Sequence, residues 1–294
     1  MQLPICGDMA AGDWFDGRAG LRSLSWDPKL TESAMPPTFT LRFARLRVAS
    51  LKRAEDFYCG VLGLTSDSGD PGERRLSADA DGPPILVLRE LPGAPPAPED
   101  AAGLFHLAFL VPDRAALARV LLRIAARRWP LQGMSDHGVS EALYLADADG
   151  NGLEIYADRP RDQWPRRNGA LKMYTRPLDV AALLENAPDR RGAGLPPGTR
   201  LGHVHLRVQD LSAAEPFYTR DLPLEVTARG YSGALFFAAD GYHHNIAANT
   251  WGVRNAQPST PHAGLDAVAA SVRGLSSARV VTDPDGNRFE LQPA

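Results

Sequence analysis

DADGNGLEIYAD (residues 147–158) and DPDGNRFELQPA (residues 283–294) are two versions of one phrase. Each is a turn rich in Asp, Gly and Asn followed by a short strand, and each strand carries one carboxylate, Glu154 or Glu290. A repeat of this kind defines the architecture before local structure is read, because each copy is one structural unit. Upstream the unit has a second recognisable part. FARLRVASLKRAEDFYCGVLGL (43–64) and HVHLRVQDLSAAEPFYTRDLPL (203–224) both hold LRV, then a helical run with Phe-Tyr, then Leu before a new strand. FHLAFLVPDRAALARVLLRIAARRWPL (105–131) is a further strand and amphipathic helix. A fourth copy begins near Gly264, with room for only part of the unit.

Four modules of strand, helix and further strands predict an α+β protein with curved mixed sheets and helices on the outer faces. Proline and glycine cluster at 92–98, 188–198 and 256–263, marking breaks between modules. The expected division is an N-terminal two-module domain over 40–160, a linker over 161–199 and a C-terminal two-module, metal-binding domain over 200–294. Residues 1–39 read as a loosely ordered extension, with Met35 as an alternative start.

Composition narrows the class. The 294 residues are 44% apolar and 23% charged, with a formal net charge of -3, which gives no reason to expect nucleic acid or a membrane surface as partner. The two cysteines, Cys6 and Cys59, are too few for a disulfide framework or a thiolate cluster and suit a reducing cytoplasm.

The repeat also lines up polar residues. With each first strand anchored on its terminal Val, His203 falls opposite His106, and the same place is Phe43 in the first module and about Ala267 in the fourth. With the last strands anchored on DGN, Glu154 matches Glu290. A third place, on the last strand of the odd modules, holds His243 and His244 in the third but only the apolar ILVL of 85–88 in the first. The second half thus offers two imidazoles and a carboxylate. That donor set suits non-haem Fe(II), and Mn(II) or Zn(II) accept it too. The expected ligands are His203, His244 and Glu290. Strand alternation puts His203, His205 and Arg207 on one face, while His243 and His244 cannot both reach a common cavity. His106 and Glu154 read as hydrogen-bonded core residues, His137 and His262 as solvated, and the Phe-Tyr pairs as core.

HVHLRVQDL at His203, GYHHNIAANTW at Gly241, DPDGNRFEL at Asp283, GLFHLAFLVP at Gly103 and the string from Ser135 to Pro165 together resemble the vicinal oxygen chelate superfamily over about residues 40–294. That superfamily includes glyoxalases, bleomycin resistance proteins and extradiol dioxygenases. The combination is most similar to bacterial catechol 2,3-dioxygenases with four modules. The resemblance implies βαβββ modules paired into two glyoxalase-like domains, here with the fourth module truncated. It further implies an Fe(II) that binds a catechol through both oxygens, and O2 that opens the ring beside the diol. His203 matches the first-strand ligand and Glu290 the final-strand carboxylate. The chain departs from the pattern at Ala267, where those enzymes often carry a second ligand His, so His244 is either a replacement ligand or an acid–base group. His205 and His243 are the other acid–base candidates, and Tyr242, Asn249 and Trp251 the expected pocket residues. Expected partners are a small aromatic diol, O2 and, through exposed sheet edges, a second copy of the chain. The alternatives are a glyoxalase-type lyase, isomerase or transferase that uses no O2, and a non-catalytic small-molecule binder.

Overall fold

The computed structural model describes residues 37–67, 70–185, 194–258 and 260–294. Nearly all of the expected N-terminal extension lies outside them. The first module is β1 (Phe39–Val48), α1 (Leu51–Tyr58), β2 (Thr65–Asp67), β3 (Glu73–Ser77) and β4 (Leu86–Glu90). The second is β5 (Gly103–Leu110), α2 (Arg114–Ala126), β6 (Gly133–Asp136), β7 (Ser140–Ala146) and β8 (Gly152–Asp158). The connection holds a small hairpin, β9 (Arg166–Arg167) and β10 (Ala170–Leu171), then β11 (Arg176–Pro177) and α3 (Val180–Glu185). The third module is β12 (Arg200–Arg207), α4 (Leu211–Pro216) with a π-turn over Phe217–Asp221, β13 (Glu225–Ala228), β14 (Ala234–Ala238) and β15 (Ile246–Asn249). The fourth is β16 (Gly264–Val272), β17 (Arg279–Thr282) and β18 (Arg288–Pro293), with neither helix nor fourth strand among its residues, all of them described.

Each helix starts where a short polar residue ends the preceding strand. Asp113 accepts from the Ala116 amide at 2.7 Å and Asp210 from the Ser212 amide at 2.8 Å, satisfying donors that a helix N-terminus otherwise leaves unpaired. The helices bury Phe57, Tyr58, Leu117, Val120 and Ile124 against the sheets, and Tyr218 of the following π-turn joins the same core. The Phe-Tyr pairs are core residues, as their helical setting implies.

The sheets do not follow the sequential pairing expected from the chain. One has seven strands in the order β17-β18-β16-β1-β4-β3-β2 and joins the first module to the fourth. The other has nine, β11-β6-β7-β8-β5-β12-β15-β14-β13, and joins the second to the third. Residues 36–294 accordingly cluster as a single unit, not as separate domains over 40–160 and 200–294. The reason is that a module's repeat determines only its internal pairings, such as β5 with β8 in parallel, and leaves the outer edge of its first strand open. An open edge must be covered by some other strand. β1 is covered by β16 and β5 by β12, both antiparallel.

The sequential pairs are held together differently. Asp147, in the turn before β8, accepts the amides of Asp149 and Asn151, both at 2.9 Å, the Asn151 side chain at 2.9 Å, and the Tyr58 phenol of the first module at 2.8 Å. Asp283 does the same in the fourth module. It takes the amides of Asp285 and Asn287, the Asn287 side chain, and the Tyr218 phenol of the third module at 2.6 Å. The DGN phrase is thus a turn wrapped around one buried carboxylate that a tyrosine of the preceding module seals.

Candidate metal centre

The seam between β5 and β12 places His205 opposite His106 and His203 opposite Ala108. On the other side of β5, Glu154 of β8 lies opposite Ala108. Three side chains from two modules therefore converge. Glu154 Oε2 is 3.0 Å from His106 Nε2 and 3.1 Å from His203 Nε2, and the two nitrogens are 3.4 Å apart. His106 is 6% exposed, Glu154 3% and His203 2%, so the cluster is shielded from bulk water. These three residues form a candidate metal site, with one ligand atom from each lying within 4.8 Å of the others.

The donors fit a divalent ion. Three donors on one face of an octahedron, each about 2.1 Å from the ion, are separated by about 3.0 Å. The protonation states fit as well. Burial pushes the His203 imidazole down to about 4, against the pull of Glu154. Burial also opposes ionisation of Glu154, yet the two imidazoles hold its carboxyl well below the usual carboxylate range. A neutral His203 ring beside an ionised Glu154 is the state a metal requires of such ligands.

Gly202 makes room for this arrangement. A Cβ there would stand 2.0 Å from the Tyr156 hydroxyl, and β12 departs from regular register between Leu201 and His203. The Tyr156 ring occupies that space and packs against His203, with ring centroids 4.8 Å apart.

The cluster opens into a cavity of about 470 Å³. His203, His205, His244 and Trp251 all line it, together with Phe105, Phe236 and Tyr231. His244 stands beside His203, ring centroids 4.1 Å apart, and burial followed by the neighbouring rings holds its imidazole well below the usual value. The same causes lower His205, whose Nε2 meets the Asn249 side-chain nitrogen at 2.9 Å. Asn249 is fully buried and serves His205 from behind the wall. Tyr242 directs its hydroxyl to Asp158 at 2.9 Å and to Tyr156 at 2.8 Å, and His243 lies fully buried between Asp158 and His244.

Glu290 is not brought to His203. It belongs to the other sheet, where Arg45 grips it with two nitrogens at 2.9 and 3.2 Å and Arg288 adds a third bond at 2.9 Å. The two sheets explain each other here. Phe43 lies opposite Ala269 as His203 lies opposite Ala108, and Arg45 opposite Ala267 as His205 opposite His106. Glu290 faces Ala269 as Glu154 faces Ala108. The seven-stranded sheet keeps the carboxylate position, but Phe43 and Ala267 stand where the other sheet has imidazoles. An arginine supplies the counter-charge instead. His106 and Glu154, read from the sequence as core residues, are the residues that meet His203. His137 is not solvated either: it lines the cavity and its Nε2 lies 2.8 Å from the Tyr144 hydroxyl.

Residues 40–155 match the family model of the Glyoxalase/Bleomycin resistance protein/Dioxygenase superfamily. A catechol-2,3-dioxygenase of Bacillus subtilis (strain 168) is 44% identical over 229 residues, covering 76% of this chain and 79% of the relative. The chain belongs to this superfamily. Among solved structures, the cppA protein of Streptococcus pneumoniae is 12% identical with a TM-score of 0.55, covering 87% of this chain and 99% of that one. A glyoxalase I variant of Zea mays is 16% identical with a TM-score of 0.52, covering 87% and 92%. Both likenesses concern the fold.

Proposed function

We propose that the chain is an extradiol dioxygenase that opens a catechol-type ring with O2 at a non-haem Fe(II) held by His106, His203 and Glu154. The observation that carries the reading is the convergence of two imidazole nitrogens and one carboxylate oxygen at 3.0–3.4 Å in the wall of a cavity. Similarity to a catechol-2,3-dioxygenase over most of both chains supports it. When bound, the iron would supply Lewis acidity toward both diol oxygens and an electron path to O2.

The chain's own residues do the rest. Phe105, Phe236 and Trp251 form the apolar walls that hold an aromatic ring and exclude water. His244 faces the cavity, and its burial keeps the ring in the uncharged form, the form that has a nitrogen lone pair free to take a phenolic proton. His205, held by Asn249, lines the same cavity and contacts the bound ring.

The test is anaerobic loading with Fe(II), then addition of catechol in air. The expected result is a yellow ring-opened product with one O2 consumed per ring. Iron-loaded protein that forms no such product and takes up no O2 with catechol or alkylcatechols would overturn the proposal.

A further inference from the structure

A chain of polar groups leads away from the cavity behind His244. Its Nδ1 lies 2.7 Å from Nδ1 of His243. His243 turns its Nε2 to Asp158 Oδ1 at 2.9 Å. The other oxygen of Asp158 accepts from the Tyr242 hydroxyl at 2.9 Å. Asp158 ends β8 of the second module, and its side chain is 24% exposed, whereas that of His243 is 0% exposed. A carboxylate at the rim of the fold is therefore connected to a ring in the cavity through one fully buried imidazole.

Hydrogen-bond accounting determines what this chain does. An ionised carboxylate only accepts, so a His243 ring with a single proton must carry it on Nε2, the nitrogen that faces Asp158. Its Nδ1 is then a lone pair. Two lone pairs at 2.7 Å would repel, so the contact requires a proton on Nδ1 of His244. A neutral imidazole carries only one N–H, which leaves Nε2 of His244 bare. We infer that Asp158 and His243 are positioning residues that set the tautomer of His244, so that this ring meets the cavity's ligand with an unprotonated Nε2.

The consequence for chemistry rests on the ring-cleavage reading: Nε2 of His244 can take the proton of a phenol. The O–H bond breaks, its electron pair stays on oxygen, and an N–H bond forms; no oxidant is needed. The opposite tautomer would present an N–H to the diol and could take nothing. Asp158 thus acts on the reaction without touching the substrate, through two rings.

The tautomer can be read on the protein itself, with no substrate and no added metal. Histidine labelled with 15N gives distinct long-range 1H–15N patterns for the two tautomers and for a doubly protonated ring. His244 is assigned by the signal lost in His244→Ala. At about pH 8, where an ordinary imidazole is neutral, His244 is expected to carry its proton on Nδ1. A proton on Nε2 of His244, or a His243 protonated on both nitrogens, would overturn the inference. Asp158→Ala is expected to scatter the His244 pattern over both tautomers. In iron-loaded enzyme it should lower kcat by on the order of 10²-fold with KM changed by less than about threefold, and Asp158→Glu should restore much of the loss. An unchanged His244 pattern in Asp158→Ala would also overturn it. If that variant fails to fold, the wild-type spectrum still decides. If instead the enzyme lacks ring-cleaving activity while His244 shows the expected tautomer, the positioning stands and the ring-cleavage reading falls.

Discussion

Tyr58 donates to Asp147 across the boundary between the first two modules at 2.8 Å, and Tyr218 and Asp283 repeat the bond across the boundary between the last two. All four side chains are buried, and both carboxylates also hold their own turn in shape. Removing the hydroxyl leaves a buried acceptor short of a donor. Tyr58→Phe and Tyr218→Phe are each expected to cost about 1.5–3 kcal/mol in urea unfolding. A loss near zero in either would show that the carboxylate finds another donor.

Metal content separates the two carboxylates of the repeat. Glu154→Gln and His106→Ala should each lower bound iron at least about tenfold after dialysis, whereas Glu290→Gln should leave it unchanged, because Glu290 is engaged by Arg45. Elemental analysis of the three variants measures this. Loss of metal from Glu290→Gln with retention in Glu154→Gln would reverse the assignment.

Glu290 should instead be felt in acid. The bond from Arg45 comes first, and together with the nearby arginines it holds the carboxyl below its ordinary value of 4.5 despite partial burial. A carboxyl whose folded value lies below its unfolded one adds stability at pH above the unfolded value, and that contribution is lost as pH falls through the folded value. Wild-type melting temperature should therefore drop more steeply below about pH 4.5 than that of Glu290→Gln. Parallel curves would mean that the ion pair adds nothing.

Gly202→Ala tests the support of His203. The new methyl would press on the Tyr156 hydroxyl and on Leu110. A cost of about 1–3 kcal/mol is expected, with weaker metal binding, and Tyr156→Phe in the same chain should relieve part of it. Unfolding curves and metal titration give both readings.

The cavity also sorts substrates by charge. Among the described residues that line it there is no Lys or Arg. A carboxylate on the ring would be buried without a partner, which is costly. Alkylcatechols should exceed ring-carboxylated catechols in kcat/KM by at least about tenfold, equivalent to about 1.4 kcal/mol. Equal rates would place the ring substituent outside the apolar walls.

The repeat made the modules and the candidate polar positions legible, because each βαβββ unit is held by contacts local in sequence. His106, Glu154 and His203 were all visible as equivalent places. What the repeat does not carry is which first strand lies beside which, since β5 with β12 and β1 with β16 are contacts between distant segments. Assuming that neighbours in sequence share a sheet brought Glu290 to His203. The observed seam brings Glu154 instead. Asp158 gave no signal of its own, because its role appears only when β8 and the segment holding His243 come together.

Two identical half-length chains assembled as these halves are would build two equal sites, one per sheet, and any mutation would strike both. Covalent fusion breaks that constraint. With a single polypeptide, the copy holding Arg45 and Glu290 is free to become a charge-neutralised buttress. The copy holding His106 and His203 can then be refined for chemistry without its twin having to tolerate every change.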